Sequence, residues 1–173
     1  AEEALLDFCK RLASGQRIDN TPNFIVKHDG QIYRNTMRPA VNVDTLPFPD
    51  WDLFEPGSIY RPMMGKIYRA VGVETQRGCP YTCTFCNSPA NNAVYKAEVQ
   101  TNFYRKKSVQ RVKEELDFLV KKYNPDLIYF VVDTFLAMSN REFDELKELY
   151  SNYKIPFWMN TRAETINEYR AKG

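Results

Sequence analysis

The feature that most restricts the fold of this chain is the apolar run Leu127-Ile128-Tyr129-Phe130-Val131-Val132, set between two segments whose apolar residues recur at helical spacing. A strand that is apolar on both faces must be covered on both, and short strands alternating with amphipathic helices supply that cover as a parallel sheet. Upstream, Val112, Leu116, Leu119, Val120 and Tyr123 follow Ser108 along one helix face, and Asn124-Pro125 ends that helix. Downstream, Ser139 and Glu142 have capping-box spacing, Phe143, Leu146, Leu149, Tyr150 and Tyr153 form a second stripe, and Pro156 closes it. Ile67 to Glu74 reads as an earlier strand, Phe157 to Asn160 as a third strand and Glu164 to Lys172 as a third helix. The expectation is an α/β chain with three successive βα units over residues 67–173.

Residues 1–66 follow no such rhythm. A helix from Glu3 to Leu12 presents Leu5, Phe8 and Leu12 on one face, with Cys9 on its apolar side as a buried small hydrophobe. Phe24 to His28 and Gln31 to Arg34 flank Asp29-Gly30, a tight-hairpin signal that leaves His28 solvated. Pro39, Pro47, Pro49, Pro56 and Pro62 then forbid a long helix and favour an extended arm. Within that arm, Phe48-Pro49-Asp50-Trp51-Asp52-Leu53-Phe54 is too apolar for a free tether and is expected to pack on a surface. The boundary is placed near Lys66. The chain opens without an initiator Met and closes on Ala171-Lys172-Gly173, where a Gly ordinarily caps a helix and leads onward, so a longer parent protein is expected. Half a barrel would leave the third strand with an unpaired edge, and self-association is the expected consequence.

With 43% hydrophobic residues in 173, the chain can build a core of ordinary domain size. Lys plus Arg total 24 against 22 for Asp plus Glu, and a net charge of +2 argues against a dedicated nucleic-acid binder. The basic run Arg105-Lys106-Lys107, with Arg111 and Lys113, reads as a solvated helix start. No window is long and apolar enough to span a membrane, and the first residues lack a secretion signal. Four cysteines are too few for a disulfide scaffold. Three of them crowd together as metal ligands do, which implies a reducing compartment and a cytoplasmic location.

Those three stand in Arg77-Gly78-Cys79-Pro80-Tyr81-Thr82-Cys83-Thr84-Phe85-Cys86, immediately after the first strand of the βα series. Three thiolates at this spacing can face one centre, and a four-iron cubane held by three thiolates keeps one iron open for a ligand. Gly78 permits a tight turn and Pro80 stiffens the loop. Cys-x3-Cys-x-aromatic-Cys after a first strand resembles the radical S-adenosylmethionine superfamily over residues 67–173. The resemblance implies a 4Fe-4S cluster on Cys79, Cys83 and Cys86, and the first half of a partial (βα)6 TIM-like barrel.

It further implies a chemistry. S-adenosylmethionine would chelate the open iron, and one electron from the reduced cluster would cleave its sulfonium to methionine and a 5′-deoxyadenosyl radical, for hydrogen abstraction or methyl transfer on an unknown substrate. An electron donor such as flavodoxin or ferredoxin is then required. By motif position Phe85 would lie against the adenine, and Asp133, in Val132-Asp133-Thr134-Phe135 after the second strand, would hold the cofactor's amino group. The hairpin, the arm with Leu46-Pro47-Phe48-Pro49-Asp50-Trp51 and the run Tyr104-Arg105-Lys106-Lys107-Ser108 resemble the join between a cobalamin-binding domain and the radical domain in cobalamin-dependent members. Asn160-Thr161-Arg162-Ala163-Glu164 resembles their third-strand segment, which makes Arg162 a cofactor-side cation. His28 lacks the cobalamin-ligand context, so cobalamin would be bound by an upstream domain outside this sequence.

Alternatives stand beside these readings. The cysteines could form a structural zinc site with Cys9 or His28, making the chain a non-catalytic metal-binding assembly module. A radical methylthiotransferase is a third reading, although its further cysteines are absent upstream. Phe85 could pack in the core, Asp133 could cap a turn, and Arg162 could pair only with Glu164.

Overall fold

The computed structural model describes residues 2–172, which divide into two compact units. One comprises residues up to Val41 together with Ala90–Phe103, and the other comprises Asn42–Pro89 together with the chain from Tyr104 onward.

In the first unit, helix α1 (Glu2–Ala13) precedes a hairpin of strands β1 (Ile25–His28) and β2 (Gln31–Arg34). Asp29 and Gly30 both take positive φ, 49° and 77°, as a two-residue turn between twisted antiparallel strands requires. Phe8 of α1 stacks on Phe24 with ring centroids 5.1 Å apart, and Asp7 accepts from Arg11 and Arg38. The expected apolar face of α1 is corrected: Ala4 is buried, while Leu5, Leu12 and Cys9 are exposed. The side that packs is the one carrying Ala4 and Phe8, where Phe8 meets the Phe24 ring. His28 is exposed beside Asp29, as expected.

The second unit holds a four-stranded sheet in the order β3-β4-β7-β8, with β3 (Tyr60–Met63), β4 (Lys66–Val73), β7 (Leu127–Phe130) and β8 (Phe157–Met159). β4, β7 and β8 are parallel, Val71 standing opposite Ile128 and Tyr129 opposite Trp158. β3 was not anticipated. It pairs antiparallel with the start of β4 through Met64-Gly65, both at positive φ, and Pro62 suits an edge because it has no N–H to donate. β8 ends the sheet on the other side.

Helix α3 (Val109–Tyr123) runs from the Ser108 cap, whose side chain accepts from the Arg111 N–H, to Asn124 in the left-handed conformation. It buries Val112, Leu116 and Leu119 against Val71, Val73, Ile128 and Phe130. Helix α4 (Asn140–Tyr150) opens on the full Ser139/Glu142 capping box and adds Leu146 to the same core. The proline-rich segment breaks into three 3-10 turns, Val43–Thr45, Trp51–Leu53 and Pro56–Ile59. Phe48 stacks on Phe118, Arg111 lies over Phe48, and Trp51 packs on the core, so the arm adheres as its aromatic content requires.

Three expectations change. Helix α2 (Ser88–Val99) follows the cysteine loop where no helix was expected, and strands β5 (Gln76–Arg77) and β6 (Arg105–Lys106) pair across it. The third helix breaks into a 3-10 turn, Ala163–Thr165, and a short α5 (Glu168–Ala171), because the Asn167 side chain caps a new start at Arg170 N–H. Gly173, expected to cap that helix, lies outside the described residues. The basic run is mostly structural and not solvated: Lys106 pairs with Glu142, Lys107 is buried against Glu115, and Arg111 donates to the Leu46 carbonyl, while Lys113 is exposed as expected. Arg170 is likewise tied down, to the Leu136 and Met138 carbonyls. No helix among the described residues is long and apolar enough to cross a membrane.

Candidate functional site

The cysteine loop leaves the carboxyl end of β4, the end where parallel strands collect ligands in barrel and open α/β folds. β5 aims it. Gln76 is buried, its amide donating to the Thr134 carbonyl and its carbonyl oxygen 2.9 Å from the Tyr104 hydroxyl. That hydroxyl also lies 2.7 Å from the Ala137 carbonyl, and burial foremost, then the charge of Glu142, drives its pKa well above the phenol range. The neutral Tyr104 therefore acts as a fixed donor that ties β6 to the loop after β7. Gly78, at φ 79°, then turns the chain into Cys79.

The three cysteines occupy different surroundings, and none is in a disulfide. Cys79 is buried with its sulfur 3.5 Å from the Thr134 hydroxyl. Cys83 is half-buried, and its sulfur accepts from the Arg162 guanidinium. Cys86 is exposed; its N–H donates to the Cys83 carbonyl at 3.1 Å, and its sulfur accepts from the Ser88 N–H at 3.4 Å. The bond from the Ser88 N–H holds the Cys86 thiol below its ordinary pKa, with Asp133 opposing through its charge. Among the described residues no three Cys, His, Asp or Glu side chains are grouped to hold a metal ion. Each sulfur is met by a protein group of its own. The donor set still fits an iron-sulfur cluster, since it offers three soft sulfurs on one short loop, one of them already biased toward thiolate.

Of the remaining candidates, Phe85 is 92% exposed, which removes the core-packing alternative. Asp133 is exposed after β7 and its charge is felt at Cys86, which places it beside the loop. Arg162, just past β8, pairs with Glu164, and its guanidinium carbon lies 4.4 Å from the Tyr81 ring centre while it reaches Cys83. Thr134 was missed, and Tyr104 was read only as a residue beside the basic run that could touch substrate. A hydroxyl next to a strand-end Asp and a Tyr before a basic run carry no local mark of function, and only the tertiary pairing brings them to the loop. Beside it, Pro80, Tyr81, Tyr104, Leu136, Thr165 and Arg170 are among the residues lining an open cleft of about 470 Å³.

No family model matches the sequence. An uncharacterised methyltransferase of Pyrococcus horikoshii is 32% identical over 168 residues, covering 93% of this chain and 33% of that protein. The anaerobic magnesium-protoporphyrin IX monomethyl ester cyclase of Rubrivivax gelatinosus is 28% identical over 145 residues, 80% of this chain and 23% of its own length. The chain thus spans about a third or less of these relatives. Among solved structures, the radical S-adenosylmethionine methyltransferase TsrM of Kitasatospora setae, with cobalamin and a 4Fe-4S cluster bound, superposes at TM-score 0.60 with 17% identity, over 99% of this chain and 34% of TsrM. The same enzyme with tryptophan substrate and a S-adenosylmethionine analogue gives TM-score 0.61 at 15% identity, over 99% and 33%. The fold is therefore mixed α/β and matches the part of TsrM that it superposes on, with the cysteine motif standing at the carboxyl end of β4.

Proposed function

We propose that this chain is the cluster- and cofactor-binding part of a cobalamin-dependent radical S-adenosylmethionine enzyme, with methyl transfer the reaction that the relatives favour. Cys79, Cys83 and Cys86 would hold a 4Fe-4S cluster, with Phe85, Asp133 and Arg162 on the side of S-adenosylmethionine. One observation carries the reading: the loops after three parallel strands meet at these thiols, since Cys79 contacts Thr134 after β7 and Cys83 contacts Arg162 after β8. When bound, the cluster and S-adenosylmethionine supply one-electron cleavage of the sulfonium bond. The chain's own residues hold and shield. Gln76, Tyr104 and Thr134 fix the entry to Cys79, Ser88 keeps Cys86 toward its reactive thiolate, and exposed Phe85 offers a ring face to a planar base. Cobalamin would be bound by another part of the parent protein. Thiolate ligands call for a reducing cytoplasm and a low-potential donor of flavodoxin or ferredoxin type.

The test is anaerobic reconstitution with iron and sulfide. The chain should take up about four irons with a dithionite-bleachable visible band. Replacing Cys79, Cys83 or Cys86 with Ala should abolish uptake, while Cys9→Ala should leave it intact. Added S-adenosylmethionine should alter the paramagnetic resonance spectrum of the reduced cluster. One zinc per chain, dependent on Cys9, overturns the reading.

A further inference from the structure

We infer that Arg162, set between Cys83 and Glu164, is a positioning residue that fixes the reduction potential of the metal centre through the Cys83 sulfur. The inference rests on the cluster reading above and assigns this cation to a ligand sulfur, whether or not it also touches the cofactor.

Four observations place it there. The guanidinium donates to the Cys83 sulfur from 79 residues away in sequence, so the contact is made by the tertiary fold and not by the loop's own geometry. Its plane rests on Tyr81, 4.4 Å from the ring centre, and Tyr81 belongs to the cysteine loop itself. Glu164 receives its other edge through both Nε and a terminal nitrogen. Finally, Arg162 stands directly after β8, on the short 3-10 turn whose Thr165 hydroxyl bonds the Arg162 carbonyl and lies 2.8 Å from the Thr161 hydroxyl. The backbone that carries the cation is therefore braced.

Such a group has a definite electrostatic effect. A reduced cluster carries one more negative charge than the oxidised one, and a cation donating to a ligand sulfur stabilises the reduced form more, which raises the potential. Glu164 works in the opposite direction by neutralising part of that cation. Arginine suits the position better than lysine, because a planar fork can stack on a ring, meet a carboxylate and donate to a sulfur at once. The pair thus forms a graded control, with Arg162 raising and Glu164 lowering the ease with which one electron enters.

The experiment is a reductive titration of the reconstituted chain with dithionite as the electron source, read by paramagnetic resonance in the absence of S-adenosylmethionine. Arg162→Gln should make the cluster harder to reduce, the reduction equilibrium falling about tenfold, which is 59 mV for a one-electron couple. Glu164→Gln should move it the other way, and Arg162→Lys should fall between the wild type and Arg162→Gln. A role confined to binding S-adenosylmethionine leaves these potentials unmoved, and a merely structural role does not produce shifts of opposite sign. Equal potentials in variants with full iron content overturn the inference while leaving the cluster reading intact, whereas a wild-type chain that takes up no cluster defeats that reading instead. If Arg162→Gln loses iron, Glu164→Gln decides: a rise supports the inference, and no rise sinks it.

Discussion

On the helix-covered side of the sheet, Val71, Val73, Leu116, Leu119 and Ile128 are completely buried, and the buried Glu115 is paired with Lys107. In the loop leaving β4, Phe85 and Cys86 are open to solvent, and the Cys83 sulfur accepts from Arg162 on a distant element while the Cys86 sulfur accepts from nearby Ser88. The difference separates two tasks. Packing on the helix side sets the stability and geometry of the scaffold, and the loop spends little of that stability because it contributes little burial. Changes on the first side should therefore act on folding, and changes on the second on ligand chemistry.

The sharpest break of this comparison lies at Lys107 and Glu115, whose side chains are only 6% and 1% exposed and form an ion pair beneath α3. Glu115 is buried within the apolar stripe of α3, its second oxygen has no hydrogen-bond partner, and the pair carries charge into the core. Lys107→Ala strands a buried carboxylate and should cost about 3–5 kcal/mol of folding stability. Urea unfolding followed by circular dichroism measures it. A loss below about 1 kcal/mol would show that the site is wetter than its burial implies.

A smaller effect is expected at the start of α4, where burial of Glu142 works against ionisation but bonds from Lys106 and Ser139 prevail and hold its carboxyl down to about 2. Ser139→Ala removes the cap oxygen and should cost about 1 kcal/mol. Because the folded pKa lies below the ordinary carboxylate value, the stability Glu142 contributes is fully present above about pH 4.5 and is lost as the pH falls from there toward 2. Over that interval the wild type should lose more stability than Glu142→Gln, as read from urea midpoints. The difference should stay modest because Glu142 is partly exposed and screened by solvent. Parallel curves would remove the bond network from the account.

How much of this was legible in the sequence follows the range of the interactions. Asp29-Gly30, Ser139/Glu142, the stripe of α3 and the run of β7 are local patterns, and each formed the element it signalled. α2 escaped because Ser88-Pro89-Ala90-Asn91-Asn92-Ala93 offers no apolar stripe to mark it. Cys9 was misjudged because the side of α1 that packs is settled by Phe24, an element away. The cysteine motif was visible from spacing alone, but the groups that meet the sulfurs of Cys79 and Cys83 stand 55 residues away at Thr134 and 79 away at Arg162. Only the pairing of β4, β7 and β8 brings those loops together.

The smallest effect on folding should come from Phe85, and it sharpens the comparison most. At 92% exposure this ring has almost no burial to lose, so Phe85→Ala should leave the unfolding free energy within about 0.5 kcal/mol of wild type. An exposed aromatic ring one residue before Cys86 gains its area only when something stacks on it, and a planar base is the partner such a face takes best. Phe85→Ala should therefore keep the full iron content of the reconstituted chain yet need a higher concentration of S-adenosylmethionine to produce the same change in the spectrum of the reduced cluster. A marked loss of stability would place Phe85 in the scaffold after all. An unchanged concentration dependence would remove it from the cofactor site while leaving Cys79, Cys83 and Cys86 in theirs.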